Sequence, residues 1–273
     1  MQYAPVTNLE GYSHLQSYGM LGSYHLMIAT EVVKDIEGWK NFWSYPNIDA
    51  ELGKDMFIVM DNGLIETGQP ADPQTIKEAA DAVDANCIVL PDVLGDFAKT
   101  MKVVRAATPE LRGLGYPLLG VIQGRDMIEV TAAVEFYTNI GVSYLSIPRI
   151  MVEFFGTRTK LVRTVRALTA GEIPIHLLGF SDNLYDDILS ARMPGVMGID
   201  SATPLWHQGV FPPSPPDDAR FGRRPADYWT WSSKRMNFRN VERVRQWLKA
   251  DALGAHTADG QQEPGEQLTL PSV

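Results

Sequence analysis

Polar residues that can do chemistry follow a series of short apolar segments in this chain. The residues that end four of these segments are Asp61, Asp92, Gln123 and Asp200. Carboxylates can act as nucleophiles or as general acids and bases, and an amide can hold a substrate by hydrogen bonds. Parallel α/β folds keep such groups at the carboxyl ends of their strands. The pattern therefore predicts that the four side chains converge on one mouth.

The spacing of these residues predicts repeated β/α units. Asp61, Asp92 and Gln123 follow one another at intervals of 31 residues, which is room for one strand, one helix and two loops. We expect strands at 23–29, 56–60, 87–91, 118–122, 143–147, 175–178 and 195–199, and helices at 73–83, 98–107, 127–140, 157–169 and 183–192. Seven units in series predict an α/β fold, a single-domain (β/α)8 TIM-type barrel over residues 1–253. No Gly-x-Gly-x-x-Gly turn indicates a dinucleotide site.

The parts of the chain outside this rhythm give weaker predictions. Residues 1–22 are expected to be an irregular N-terminal cover, and residues 34–54 a short helix and loop over the barrel mouth. A weak eighth strand is expected at 209–211, followed by a basic C-terminal segment that ends in a helix at 240–251. The polar residues 254–273 show no periodic pattern, which is typical of a disordered tail.

Composition limits the classes of function. The chain has 273 residues, a net charge of −9 and one cysteine, Cys87, which excludes a disulfide framework and a zinc site built from several thiolates. No signal peptide or membrane span is visible, so we expect a cytoplasmic protein, without a metal or cofactor. The segment from Arg220 to Lys249 contains nine basic residues and two acidic ones. Its local charge of +7 can bind phosphates.

In their order, these segment ends resemble the tRNA-guanine transglycosylase superfamily. The resemblance covers roughly residues 56–204 and rests on these motifs: Asp61-Asn62-Gly63, Pro91-Asp92-Val93-Leu94-Gly95-Asp96, Gly120-Val121-Ile122-Gln123-Gly124, Leu178-Gly179 and Gly198-Ile199-Asp200. Members of that superfamily are (β/α)8 barrels that exchange guanine in a polynucleotide for a 7-deazaguanine. The resemblance implies the same fold and the same reaction for this chain.

The resemblance also implies roles for individual residues. Asp200 falls on the nucleophile of the family and Asp61 on its general acid and base. Asp92 and Gln123 fall on residues that hydrogen-bond the edge of the base. The other positions expected to bind the base are Gly124, Ser146, Ile147 and Gly179. Exchange would then take two displacements through a covalent aspartyl-glycosyl intermediate.

Three features depart from the family pattern, and the last of them directs the expectation towards DNA. The family's Gly-Gly-Leu segment is replaced by Ser146-Ile147-Pro148-Arg149, and Leu64 and Ile65 stand where an aromatic residue stacks on the base. The zinc subdomain with its cysteine cluster is also absent. The chain thus resembles the short, zinc-free relatives of phages and bacteria, which insert 7-deazaguanines such as preQ0 into DNA. Its target guanine would be single-stranded or flipped out.

Basic residues are expected to hold the phosphates of this nucleic acid. Those that we expect to contact it are Arg149, Arg158, Lys160, Arg163, Arg223, Arg224, Lys234 and Arg235. A homodimer or a partner subunit stays open, and no membrane partner is expected. Three other functions also stay open: a zinc-free enzyme acting on tRNA, a catalytically silent nucleic-acid-binding partner subunit, and a sugar-processing hydrolase with two carboxylates.

Simpler structural roles exist for the same residues. Asp61-Asn62-Gly63 is also a hairpin signal, Asp92 could cap a helix, and Asp200 could form an Asx turn. A divalent-metal site of Asp61, Asp92 and His207 is a further alternative. His176 lies within an apolar segment, which favours a hydrogen-bonded core residue over a ligand.

Overall fold

The protein forms a parallel eight-stranded barrel with helices between the strands. A computed structural model describes residues 2–44 and 56–249. The strands are β1 (Gln2–Pro5), β2 (Tyr24–Ile28), β3 (Phe57–Asp61), β4 (Cys87–Val89), β5 (Leu118–Val121), β6 (Tyr144–Pro148), β7 (Ile175–Leu178) and β8 (Val196–Ser201). The sheet has the order β1-β8-β7-β6-β5-β4-β3-β2, and its end strands β1 and β2 lie in contact, so the barrel is nearly closed. The predicted (β/α)8 TIM-type fold is confirmed.

Helices follow the strands around the outside of the sheet. They are α1 (Leu9–Ser17), α2 (Ala29–Val32), α3 (Ile36–Trp43), α4 (Leu64–Thr67), α5 (Pro73–Val83), α6 (Phe97–Gly113), α7 (Met127–Asn139), α8 (Val152–Phe155), α9 (Arg158–Leu168), α10 (Leu184–Ala191), α11 (Thr203–Trp206) and α12 (Phe238–Leu248). Short 3₁₀ turns cover Val33–Asp35, Arg149–Met151, Tyr228–Thr230 and Ser233–Arg235. Side-chain oxygens accept hydrogen bonds from the first turns of seven of the described helices, at Asn8, Asp35, Asp72, Asp96, Asp126, Thr157 and Asn183. Such caps fix where each helix begins.

Two predictions about the strands at the seam of the barrel were wrong. The N-terminal residues are not an irregular cover, because Gln2–Pro5 forms β1 and pairs with β8, with Ala4 opposite Asp200. The expected eighth strand at 209–211 is not a strand, since β1 takes that place. A four-residue strand shows too little alternation to be recognised in a sequence, whereas its burial against Asp200 is evident in the fold.

The aromatic helix before residue 45 packs on the outer side of the barrel instead of covering its mouth. Leu26 and Ile28 of β2 line the interior, so His25, the residue before Leu26, points outwards. There its ring contacts Trp43 of α3, with centroids 5.1 Å apart, and Tyr12 of α1 at 5.6 Å. The expected loop that completes this segment, and the expected tail at 254–273, lie outside the described residues.

The segment around residues 228–231 completes the core beside β1. Tyr228 is buried and its hydroxyl donates to the carbonyl of Val6 at 2.7 Å. Asn8 donates to the carbonyls of Trp229 and Trp231. These contacts make the cluster of Tyr228, Trp229 and Trp231 part of the packing beside β1. Among the described residues, none of the helices combines the length and apolar character needed to cross a bilayer.

Candidate functional site

A cavity of about 620 Å³ opens at the carboxyl ends of the strands, and three acidic strand ends line it. Asp61 of β3, Asp92 after β4 and Asp200 of β8 all belong to its wall. Three of the four side chains that were predicted to converge thus share one cavity, and Gln123 is not on its wall. The volume lies within the range of about 300 to 1,000 Å³ that is usual for small-molecule sites.

Asp200 is held by His176 of the neighbouring strand β7 and by Gly179, which directly follows that strand. Its Oδ1 lies 2.9 Å from Nε2 of His176 and accepts from the main-chain N–H of Gly179 at 3.1 Å. Gly179 has φ of +71°, and a Cβ there would lie 3.3 Å from Cδ of Arg149. A glycine therefore suits this close approach. These contacts replace the Asx turn that was the simpler explanation for Asp200.

His176 is buried and bonded on both sides of its ring. Its Nδ1 lies 2.6 Å from the hydroxyl oxygen of Tyr24, and its Nε2 faces Asp200. The sequence correctly predicted a core histidine with its hydrogen bonds made, but it missed the contact with Asp200. The alternation of β7 carried the signal, because His176 is two residues before Leu178 and so faces the interior.

Asp61 ends β3 in a turn that is not a hairpin. Its Oδ1 accepts the N–H of Gly63 at 2.7 Å, Gly63 takes φ of +73°, and the short helix α4 follows. Burial raises the pKa of Asp61 well above its ordinary value, and the charge of Glu66 adds to this. The Gly63 N–H acts in the opposite direction, while the charges of Asp92 and Asp200 raise the pKa further. Asp61 is thus suited to carry a proton.

Glu66 is a site residue that the sequence did not indicate. It lines the same cavity and pairs with Arg224, whose Nη2 lies 2.9 Å from its Oε1. Burial raises the pKa of Glu66, and the Arg224 guanidinium opposes that rise. The partners are 158 residues apart in the chain, so only the folded structure brings them together. This pair places one arginine and a second acid beside Asp61.

Asp92 and Gln123 form a connected pair at the ends of β4 and β5. Nε2 of Gln123 donates to Oδ2 of Asp92 at 2.6 Å, while its Oε1 accepts the N–H of Gly95 at 2.9 Å. Burial raises the pKa of Asp92 to about 6, against the lowering effect of the Gln123 hydrogen bond. Asp96, not Asp92, caps α6. Gln123 is fully buried and supports Asp92.

Of the four other residues expected to bind the base, Gly179 lines the cavity, whereas Gly124, Ser146 and Ile147 do not. Ser146 is buried at the level of His176 in the paired strand, and its Oγ has no hydrogen-bond partner among the described residues. Ile147, between Ser146 and the cavity-lining Pro148, points away from the interior. Gly124 is not part of the cavity wall, and a Cβ there would meet Glu129.

Only three of the expected basic residues lie at the cavity. Arg149, Arg223 and Arg224 line it. Arg149 and Arg223 are exposed, and in the described part of the chain neither forms an ion pair. Lys160 and Arg163 are exposed on α9 and do not line the cavity.

The expectation that Arg158 contacts a phosphate was wrong. Its side chain is completely buried and pairs with Asp187, with Nη1 and Oδ1 3.0 Å apart. It also donates to the carbonyls of Leu178 and Gly179. A guanidinium enclosed in this way cannot reach a phosphate. Its position at the first turn of a helix gave no sign of burial in the sequence.

Lys234 and Arg235 lie in a second groove of about 520 Å³. This groove shares no lining residue with the central cavity. Its wall includes His14, whose ring stacks on Phe238 with centroids 4.1 Å apart, and Arg239. The groove thus combines aromatic rings with cations, although it lies apart from the acidic strand ends.

Metal ligation by Asp61, Asp92 and His207 finds no support in the geometry. The described residues contain no cluster of three or more acidic, histidine or cysteine side chains able to hold a metal ion. His207 instead contacts the rings of Phe211 and Phe221. The arrangement at the cavity is one of carboxyl groups with hydrogen-bond donors.

Comparison with known proteins adds no family to this geometry. No protein-family model matches the chain, and no match was found among the curated proteins. The function of this chain is therefore inferred from its own residues.

Proposed function

We propose that this protein is a guanine transglycosylase that exchanges guanine in DNA for a 7-deazaguanine. The observation that carries the proposal is the shared cavity of Asp61 and Asp200, with Asp92 on the same wall. Two acids with different surroundings suit two different roles. Asp200 has fixed donors on one oxygen, whereas Asp61 is half-buried beside other acids.

The first displacement breaks the bond between guanine and its sugar. A carboxylate oxygen of Asp200 attacks C1′ as the bond from C1′ to N9 breaks, and the bonding electrons leave with the base. Asp61 gives its proton to the departing guanine. The raised pKa of Asp61 supports this role, because an acid must still hold its proton near neutral pH. The product is an ester between Asp200 and the sugar.

The second displacement reverses these steps with a different base. The carboxylate of Asp61 takes the N9 proton from the incoming 7-deazaguanine. N9 then attacks C1′, and the electrons of the ester bond return to Asp200. Two inversions at C1′ retain the configuration of the sugar. Asp61 ends protonated, as it began, so the cycle needs no other reagent.

Asp92 is suited to recognise the base. Its Oδ2 is occupied by Gln123, and its carboxylate can accept from the N1–H and the exocyclic amine of guanine. Arg149 and Arg223 supply cations without ion-pair partners in the described part of the chain. Cations of this kind can hold the phosphates on either side of a flipped nucleotide and offset the cost of unstacking it.

A trapping experiment tests the proposal. Incubation with a guanine-containing DNA oligonucleotide is expected to give a covalent protein–DNA adduct on a denaturing gel and to incorporate labelled guanine. Asp200→Asn is expected to lose both signals, because an amide is a poor nucleophile, while its circular dichroism stays unchanged. Asp81→Asn, on the exposed face of α5, is the matched control with wild-type exchange. Near-normal exchange by Asp200→Asn would refute the assignment.

The choice of polymer is the second point to test. The rim of Arg149 and Arg223 suits the phosphates of DNA and tRNA alike. Competition between the two polymers for labelled guanine separates a DNA enzyme from a zinc-free tRNA enzyme. A catalytically silent partner subunit would bind either polymer and incorporate no label. Mass spectrometry of nucleosides from cells that express the protein would identify the inserted base.

A further inference from the structure

The carboxylate of Asp200 is hydrogen-bonded on one oxygen. Its Oδ1 meets both Nε2 of His176 at 2.9 Å and the N–H of Gly179 at 3.1 Å. Within the described residues, Oδ2 receives no hydrogen bond. The two oxygens of this carboxylate are therefore not equivalent, although a carboxylate in water has two equal ones.

Tyr24 fixes the ring of His176 from the opposite side. Its hydroxyl oxygen lies 2.6 Å from Nδ1, and both side chains are buried. Burial raises the pKa of Tyr24 well above its ordinary value, so the hydroxyl keeps its proton. The carboxylate of Asp200 can only accept, so Nε2 of His176 is the donor towards it, and in a neutral ring Nδ1 then accepts the hydroxyl hydrogen of Tyr24. A neutral imidazole has one donor and one acceptor. With Nδ1 as acceptor, the ring hydrogen lies on Nε2 and points at Asp200.

Tyr24 differs in this respect from three other buried tyrosines near the site. The hydroxyls of Tyr3, Tyr12 and Tyr228 donate to main-chain carbonyls, of Ser201, Pro5 and Val6 respectively. Those bonds hold the backbone. The hydroxyl of Tyr24 instead bonds to a side chain that reaches Asp200, across 152 residues of sequence.

We propose that Tyr24 and His176 are positioning residues that select Oδ2 of Asp200 as the nucleophilic oxygen. This inference rests on the proposed function. Two donors hold Oδ1 and leave the lone pairs of Oδ2 for C1′. In the ester, Oδ2 carries the sugar and Oδ1 becomes the carbonyl oxygen, which keeps both donors. When the ester breaks, the electron pair returns to Oδ2, and no proton moves through the histidine.

The tautomer of His176 can be observed without any turnover. In protein labelled with ¹⁵N-histidine, long-range proton–nitrogen spectra distinguish a nitrogen that carries hydrogen from one that does not. The chain has five histidines, and the signals missing from His176→Gln identify those of His176. We expect the hydrogen on Nε2 and a bare Nδ1. An Nδ1–H tautomer, or hydrogens on both nitrogens, would overturn the proposed hydrogen bonds from Tyr24 to His176 and from His176 to Asp200.

Tyr24→Phe removes the hydroxyl and keeps the ring. We expect loss of the single Nε2–H pattern and a fall in kcat of about ten- to a hundredfold, with KM nearly unchanged, because binding groups stay in place. Tyr12→Phe is the matched control, since it removes a buried hydroxyl that bonds only to a carbonyl. Unchanged kcat and an unchanged spectrum in Tyr24→Phe would refute the proposal.

A second pair of variants guards against a purely structural effect. His176→Gln keeps a side-chain N–H that can reach Asp200, whereas His176→Leu keeps only the bulk. We expect partial activity in the first and loss in the second at equal melting temperature. Equal activities would contradict a positioning role. If the wild-type protein exchanges no base at all, the proposed function fails. The spectra still test the hydrogen bonds of Tyr24 and His176, so the two proposals can be refuted independently.

Discussion

At the scale of single residues, the carboxyl group of Asp92 is the one whose charge should govern the binding of a purine. Burial raises its pKa to about 6. Above that pH it is an acceptor for the N1–H of guanine. Below it the group is protonated and presents a hydrogen where the base also has one. The binding of a base should therefore depend on pH in the acidic range.

This dependence gives a first prediction. The affinity for 7-cyano-7-deazaguanine, measured by calorimetry, should fall by about tenfold for each pH unit below 6 and level off above 7. Asp92→Asn should bind weakly and show no such slope, because an amide does not titrate. Asp96→Asn, which alters an exposed helix cap, is the control and should keep the wild-type profile. A wild-type affinity that is flat between pH 5 and 7 would contradict the role of Asp92.

The strand-end residues were predictable, but their partners were not. Asp61, Asp92 and Asp200 each end an apolar run, which is a local pattern. Glu66 and Arg224 instead meet over 158 positions, and no local pattern reports such a contact. The burial of Arg158 could not be predicted for the same reason, because its partner Asp187 lies on the next helix.

At the scale of elements, the end of β7 is held by a buried ion pair. Arg158 of α9 donates to the carbonyls of Leu178 and Gly179 and pairs with Asp187. The same loop supplies the Gly179 N–H that holds Asp200. The function of this arginine is therefore to fix a loop.

Arg158→Met should test this function. It leaves Asp187 buried without its cation, so we expect the free energy of unfolding, measured in urea, to fall by about 3–5 kcal/mol. The double variant Arg158→Met/Asp187→Leu should recover most of that loss, since no charge is left unpaired. Wild-type stability with weakened DNA binding would instead support the phosphate contact of Arg158 that was expected from the sequence.

The elements differed in how well the sequence predicted them. Strand 175–178 and helix 73–83 coincide with β7 and α5, because both are bounded by clear turn or capping residues. β1 escaped prediction, since four residues with mixed polarity give no period. The pairing of β1 with β8 is a property of the closed sheet, not of either segment.

At the scale of the whole molecule, β1 is an integral part of the barrel. Ala4 lies opposite Asp200 in the sheet, and Val6 lines the central cavity. Removal of residues 1–8 should therefore expose β8 and abolish cooperative thermal unfolding, measured by calorimetry. Gln2→Ala, at a partly exposed position, should keep the wild-type transition. A truncated protein with a normal transition would contradict this role of β1.

The second groove suggests a longer path for nucleic acid over the surface. Lys234 and Arg239 line it and form no ion pair among the described residues. Lys234→Ala/Arg239→Ala should weaken the binding of a long oligonucleotide, measured by fluorescence anisotropy. The slope of log affinity against log salt concentration should also fall, by about one to two released counterions. Binding of the free base should not change. Lys77→Ala, on α5, is the control. Equal oligonucleotide affinity would exclude the groove.

The seam of the barrel has a consequence for synthesis on the ribosome. β1 emerges before the other described strands, yet its ladder partner in the described part of the chain is β8, which begins at residue 196. At about 5–20 residues per second, the first strand waits roughly 10–40 s for that partner. During this interval its backbone N–H and C=O groups have no strand to pair with, so a nascent chain stalled before residue 196 should be a substrate for chaperones.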